Sequence, residues 1–200
     1  CSNDNLVVED KDCDYYDYDL DYKTASISDM QKSSLSEILD YELRWYFMKN
    51  YNFKGQWIAA TNNIEDRFAP VFKRNFIINK EIKSATLYVC GLGFFEAKIN
   101  GELPDDSVLN PIHSQYSSTI YYRTFDVTAL LRKNENEITV ELGNSFYNEP
   151  TTVWNWHIAS WRNTPRLILD LVIEYADNTS EIIKSDKTFK VATNGIITKN

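Results

Sequence analysis

Residues 85–101 read Ala-Thr-Leu-Tyr-Val-Cys-Gly-Leu-Gly-Phe-Phe-Glu-Ala-Lys-Ile-Asn-Gly. The first six are β-formers in an unbroken apolar run, and Gly91 and Gly93 end it. Phe94 to Ile99 is a second such run, and Asn100-Gly101 behind it is the strongest short-range hairpin signal. Two strands and two turn signals within seventeen residues leave no room for a helix. The flanks agree with this reading. Upstream, Val71, Lys73 and Asn75 alternate with Phe72, Arg74 and Phe76, the period of a half-buried strand. Downstream come four more strand segments: 118–125, 137–143, 166–175 and 181–185, with a short last one from Thr188 to Val191. Asp126-Val127-Thr128 reads as a capped helical turn, Asn134 to Asn136 as a turn into the next strand, and Asp177-Asn178 as another turn. Short strands joined by turns, with almost no helix between them, predict an all-β antiparallel sandwich over residues 57–200.

Two segments precede the sandwich. Residues 34–56 begin with an amphipathic helix, where Leu35, Ile38, Leu39, Leu43, Tyr46 and Phe47 recur at spacings of three and four. Ser34 and Glu37 form its capping box, and the helix is expected to end near residue 48. Residues 1–33 are an acidic arm: up to Lys23 it holds eight acids against two bases, so six of the eight net negative charges lie there. Within it Asp alternates with Tyr between residues 14 and 22, which suits either a solvated tail or a strand laid along a sheet edge.

Composition excludes several functions. With 21 basic and 29 acidic side chains the chain carries a net charge of −8, the wrong sign for a nucleic-acid partner. No apolar run is long enough to span a bilayer. At 43% hydrophobic and 14% aromatic residues the chain is no disordered segment. Thirteen Tyr and five Trp suit polar, neutral partners such as sugars. Of the three cysteines, Cys90 sits in an apolar run and is expected to be a buried thiol packed as a small hydrophobe. Cys1, followed by Ser2 and Asn3, looks like the first residue of a bacterial lipoprotein after signal-peptide cleavage, although a chain cut at that point would look the same. A lipid on Cys1 would be the one link to a membrane, and the protein would then be extracytoplasmic, as a periplasmic or outer-membrane lipoprotein. No spacing of Cys and His fits zinc, and no cofactor is called for.

Catalytic motifs are missing as well. Gly91-Leu92-Gly93 lacks the third glycine and the helix of a dinucleotide loop, and no Gly-x-Ser-x-Gly is present. His113 and His157, the two imidazoles, read as loop hydrogen-bonders. What does stand out is residues 144–164, about twenty positions without strand periodicity. This stretch opens with Asn144 and holds Trp154, Trp156, His157, Trp161 and Arg162. Indoles stack on sugar rings while Asn, His and Arg serve hydroxyl groups, so these six residues are the candidate carbohydrate or domain contact. The same Trps would equally serve to plug the end of the sandwich.

From Trp57 to about Ile197 the chain resembles the N-terminal sandwich module of bacterial α-L-rhamnosidases. The marks are Ala69 to Arg74, Ala85 to Glu96, Ile99-Asn100-Gly101, Leu109-Asn110-Pro111 with Tyr116, Tyr122, Asp126-Val127-Thr128, Asn136, Leu142-Gly143-Asn144, Pro165 to Leu171 and Tyr175-Ala176-Asp177. His113 stands where the family tends to have a bulky aromatic, and Ser145-Phe146 where it favours Gly-Trp. The resemblance implies a jelly-roll, galactose-binding-like sandwich without catalytic residues of its own. Inverting hydrolysis in that family belongs to a downstream (α/α)6 barrel with an acidic general acid and an acidic base. The expected function is therefore the non-catalytic module of a secreted rhamnosidase-like glycoside hydrolase, supporting the barrel and contacting carbohydrate. The alternative is a stand-alone carbohydrate-binding surface lipoprotein or adhesin-type module.

Overall fold

The computed structural model describes residues 14–17 and 51–193, apart from 67, 114, 115, 117 and 118. The predicted helix at 34–48, Cys1 and the rest of the arm lie outside the described residues. Among the described residues ten strands follow in order: β1 Asp14–Asp17, β2 Ile58–Ala59, β3 Val71–Ile78, β4 Ile82–Leu92, β5 Phe94–Ile99, β6 Thr119–Asp126, β7 Asn134–Gly143, β8 Arg166–Tyr175, β9 Ser180–Lys184 and β10 Lys190–Ala192. They form two sheets. One runs β1-β6-β4-β8-β2 with β9 also paired to β8, and the other runs β10-β3-β7-β5. Every pairing is antiparallel except that of β1, which lies parallel to β6 with Asp14 opposite Thr119. For residues 14–17 the arm is thus an edge strand, and it covers backbone groups of β6 that would otherwise lack a neighbour.

Alternation explains the packing. Phe72 and Ile78 of β3 and Ile138, Val140 and Leu142 of β7 point inward to meet Leu87 and Val89 of β4 and Leu167, Leu169, Leu171 and Ile173 of β8. The opposite face of the four-stranded sheet is solvated, with Lys73 paired to Glu137 and Lys98 to Glu96. Its strands therefore read as clean apolar/polar alternation. By contrast, β4 and β8 are apolar on both faces, because residues 51–57 cross the outside of their sheet as a strap. Tyr51, Phe53 and Trp57 close there over Tyr88, Cys90, Tyr122 and Ile168 in a second apolar cluster. Cys90 is the buried thiol expected, and its Sγ donates to Tyr121 O at 3.2 Å.

A buried carboxylate in β8 fastens the strap. Asp170 accepts hydrogen bonds from Tyr51 Oη at 2.9 Å, from Lys54 N–H at 2.6 Å and from Gly55 N–H at 2.8 Å. Ser185 completes the fastening by donating to Gln56 O at 2.7 Å. The fit is close at Gly55, where a Cβ would stand 2.6 Å from both Leu169 O and Ser185 Oγ. Burial holds the Tyr51 hydroxyl well above its ordinary pKa, with the Asp170 charge adding to the effect.

Three boundaries differ from the sequence expectation. Asn100 and Gly101 do take the positive φ values, 53° and 85°, of a type I′ turn. No returning strand follows, however: residues 103–113 meet β5 again only at the isolated bridge of Asn110 to Phe95, beyond the bridge between Ile99 and Glu102. The side chain of Asn100 accounts for the turn. Its Nδ2 donates to Leu130 O at 2.8 Å and to Asn136 Oδ1 at 2.9 Å, and its Oδ1 accepts from Glu137 N–H at 2.9 Å. The turn therefore pins β5 to the start of β7 in place of making a hairpin. Residues 134–136 are already strand, opposite Ile78 to Phe76, so the turn lies earlier in the chain. The last strand begins at Lys190 because Asp186 first forms a tight turn, accepting from Thr188 N–H and its hydroxyl. Asp126 behaves as expected: its Oδ1 accepts from Thr128 N–H and hydroxyl, which hold the carboxyl below its usual range.

Candidate functional site

Strand order places one end of the sandwich under two long connections. β7 ends at Gly143 opposite Phe94, the first residue of β5, and residues 144–165 leave from there. Residues 103–113 pass the same end, since Phe95 N–H donates to Asn110 O at 2.6 Å. Gly93 makes this junction, with φ 104°, and a Cβ there would lie 2.1 Å from Gly143 O.

The longer connection is folded. It holds two 3₁₀ turns, Ser145–Asn148 and Val153–Ile158. Asn144 is buried and braces the first turn: its Oδ1 accepts from Asn148 Nδ2 at 3.1 Å, and its carbonyl accepts from Asn148 N–H. Asn148 Nδ2 also reaches Ile64 O, and Thr164 Oγ1 donates to Thr61 O, so both feet of the loop are tied to residues 61–64. Ser145, Trp154 and Asn155 have φ of 46°, 53° and 59°, left-handed values that cost non-glycine residues energy. At Trp154 and Asn155 the strain lies where the indole is thrown outward.

The three tryptophans divide. Trp161 lies 5.0 Å from Tyr116 and 6.4 Å from Tyr147, centroid to centroid, and this trio packs on the cluster beneath the strap. Trp161 is a plug. Trp156 meets Phe146 edge-on at 4.7 Å, and His113 stands 5.0 Å from Phe146 and 6.4 Å from Trp156. Trp154 leans on Trp156 at 4.9 Å and is otherwise in solvent, 77% exposed. Aliphatic side chains of the same two connections are also open, with Val108 80%, Leu109 67% and Ile158 71% exposed. Next to them His157 Nδ1, Arg162 Nε and Nη2, and Arg166 Nε are enclosed without a hydrogen-bond partner.

Of the six residues singled out by sequence, Trp154 and Trp156 form the exposed aromatic surface. His157 and Arg162 border it, Trp161 packs inward and Asn144 braces the loop from below. Sequence reasoning missed His113, Phe146, Phe94 and the aliphatic Val108 and Leu109. Phe146 was within reach of it, in the same loop. The others lie 31 residues or more earlier in the chain and join only because β5 and β7 are neighbours.

Residues 80–200 match the alpha-L-rhamnosidase N-terminal domain family. The chain belongs to that family. An alpha-L-rhamnosidase of Formosa agariphila is 36% identical over 202 residues, a match covering 85% of this chain and 20% of that one. Among solved structures, the alpha-L-rhamnosidase of Dictyoglumus thermophilum is 32% identical with a TM-score of 0.56, covering 70% of this chain and 14% of the other. That of Streptomyces avermitilis, complexed with L-rhamnose, is 28% identical with a TM-score of 0.61, covering 66% and 13%. This N-terminal rhamnosidase sandwich spans at most about a fifth of the length of the curated relatives it matches.

Proposed function

We propose that this chain is the non-catalytic N-terminal module of a secreted α-L-rhamnosidase-like glycoside hydrolase, mounted beside a downstream (α/α)6 catalytic domain that it supports. Its span carries this reading: the domain family covers residues 80–200, and the match covers only 20%, 14% and 13% of the three named relatives. Cys1 as a lipid-bearing residue, and with it an extracytoplasmic location, belongs to the same proposal. A second reading, a stand-alone carbohydrate-binding surface lipoprotein, draws on the exposure of Trp154 beside Trp156, His157 and Arg162.

An assay on an aryl α-L-rhamnoside separates activity from support. The 200-residue chain is expected to give no turnover above buffer, whereas the gene product extended beyond Asn200 hydrolyses the substrate. The resemblance assigns the acid and base to the barrel and neither to the sandwich. Hydrolysis by the 200-residue chain that vanished on mutating one of its own carboxylates would defeat the proposal.

A further inference from the structure

We propose that the aromatic end of the sandwich is an interdomain interface, occupied by the domain that follows β10 in the same polypeptide; the inference rests on the reading above of the chain as one module of a longer enzyme. Two observations carry it. The first is the course of the chain. Ala192 of β10 lies opposite Val71, Val71 lies opposite Glu141, and Glu141 is three residues from Asn144. The last strand thus releases the chain at the same end as the aromatic loop, two strand spacings from β7, or roughly 10 Å. A following domain begins its course beside this surface.

The second observation is the make-up of the surface. Val108, Leu109 and Ile158 are branched aliphatics on two separate connections, and all are largely in solvent. They add to the rings of Phe146, Trp154 and Trp156 on the same connections. A sugar ring stacks on one or two flat indoles and has no use for aliphatic ridges on both sides. Exposed large apolar side chains gathered on two neighbouring connections suit a protein contact, and interfaces between domains of one chain are broad enough to use both. The covering face is therefore apolar at its centre and polar at its rim.

Site-specific photo-crosslinking in the full-length gene product tests this. Ile158→p-benzoylphenylalanine places the probe on the surface at a position exposed enough to accept it, and Ile77→p-benzoylphenylalanine, at the opposite end and also exposed, is the control. The expected result is an intramolecular crosslink from position 158 to residues beyond 200, several-fold stronger than from position 77. A long gene product whose position-158 probe captures nothing downstream overturns the interface and leaves the module reading intact. So does a probe shielded only by an added rhamnose-containing oligosaccharide. A gene product that stops near Asn200 overturns both.

Discussion

Gly93→Ala is expected to destabilise the sandwich by about 3 kcal/mol or more, visible as a large fall in the urea midpoint at an unchanged m-value. Two costs combine at this position. Alanine must adopt φ 104°, and its Cβ would stand 2.1 Å from Gly143 O, a backbone atom of the neighbouring strand that cannot swing aside. Relief requires β5 and β7 to separate where the aromatic loop begins, so the variant should also lose order at Phe94 and Phe146. Gly101→Ala is the internal comparison. Its φ of 85° is also unfavourable for a side chain, but nothing lies within 4 Å of the added Cβ, so a loss of only about 1 kcal/mol is expected. Equal losses in the two variants would mean that the close approach at Gly93 is not what holds the end together.

Asp170→Ala should cost a similar amount, again about 3 kcal/mol or more, for a different reason. It strips the acceptor from two backbone N–H groups and the Tyr51 hydroxyl at a site shut off from water. The strap is then held by Ser185, by the bond from Tyr51 N–H to the Tyr122 hydroxyl at 3.1 Å and by aromatic contacts, of which the stack of Tyr51 on Tyr88 at 3.7 Å is the closest. Amide exchange at residues 51–57 should accelerate far more than exchange in β4. The pH dependence has a definite sign. Burial pushes the Asp170 carboxyl above its ordinary value, against the opposing pull of Lys54 N–H, the Tyr51 hydroxyl and Gly55 N–H. The folded state therefore keeps this proton to higher pH than the unfolded state does. Its contribution to stability is full below the ordinary carboxylate range and declines as pH rises through the raised value. The stability gap between the wild type and Asp170→Ala should thus widen as pH falls from neutral toward ~4. A gap that narrows would show that the donors outweigh burial at this carboxylate.

The fold was legible because most of its strands announce themselves by period. In β3 and β7 polar residues alternate with Phe72, Phe76, Ile138 and Val140, and the structure puts those four in the core. The runs in β4 and β8 were equally plain as strands. Their double-sided burial depends on a strap that carries no periodic signal, only Tyr51, Phe53, Gly55 and Trp57. Asn100-Gly101 gave the right turn and the wrong consequence. Local φ preference fixes the turn, whereas the long-range bonds of Asn100 to Leu130, Asn136 and Glu137 decide what the chain does next. The aromatic loop was legible as a Trp-rich stretch without periodicity. Its division into the outward Trp154 and the inward Trp161 was not, because it follows from left-handed backbone at Trp154 and Asn155 and from the distant Tyr116. Family resemblance supplied what spacing did not, namely that such a sandwich stands at the N-terminal side of a larger enzyme.

One end of the sandwich keeps Trp154 in solvent while Trp161 closes the cluster beneath the strap. Acrylamide quenching of the chain and of its Trp154→Phe variant measures this directly. The predicted result is a readily quenched component in the wild type that is markedly reduced in the variant, with the melting temperature unchanged. Quenching curves that coincide for the two proteins would place Trp154 inside the fold and contradict the exposed aromatic surface on which both the carbohydrate and the interdomain readings depend.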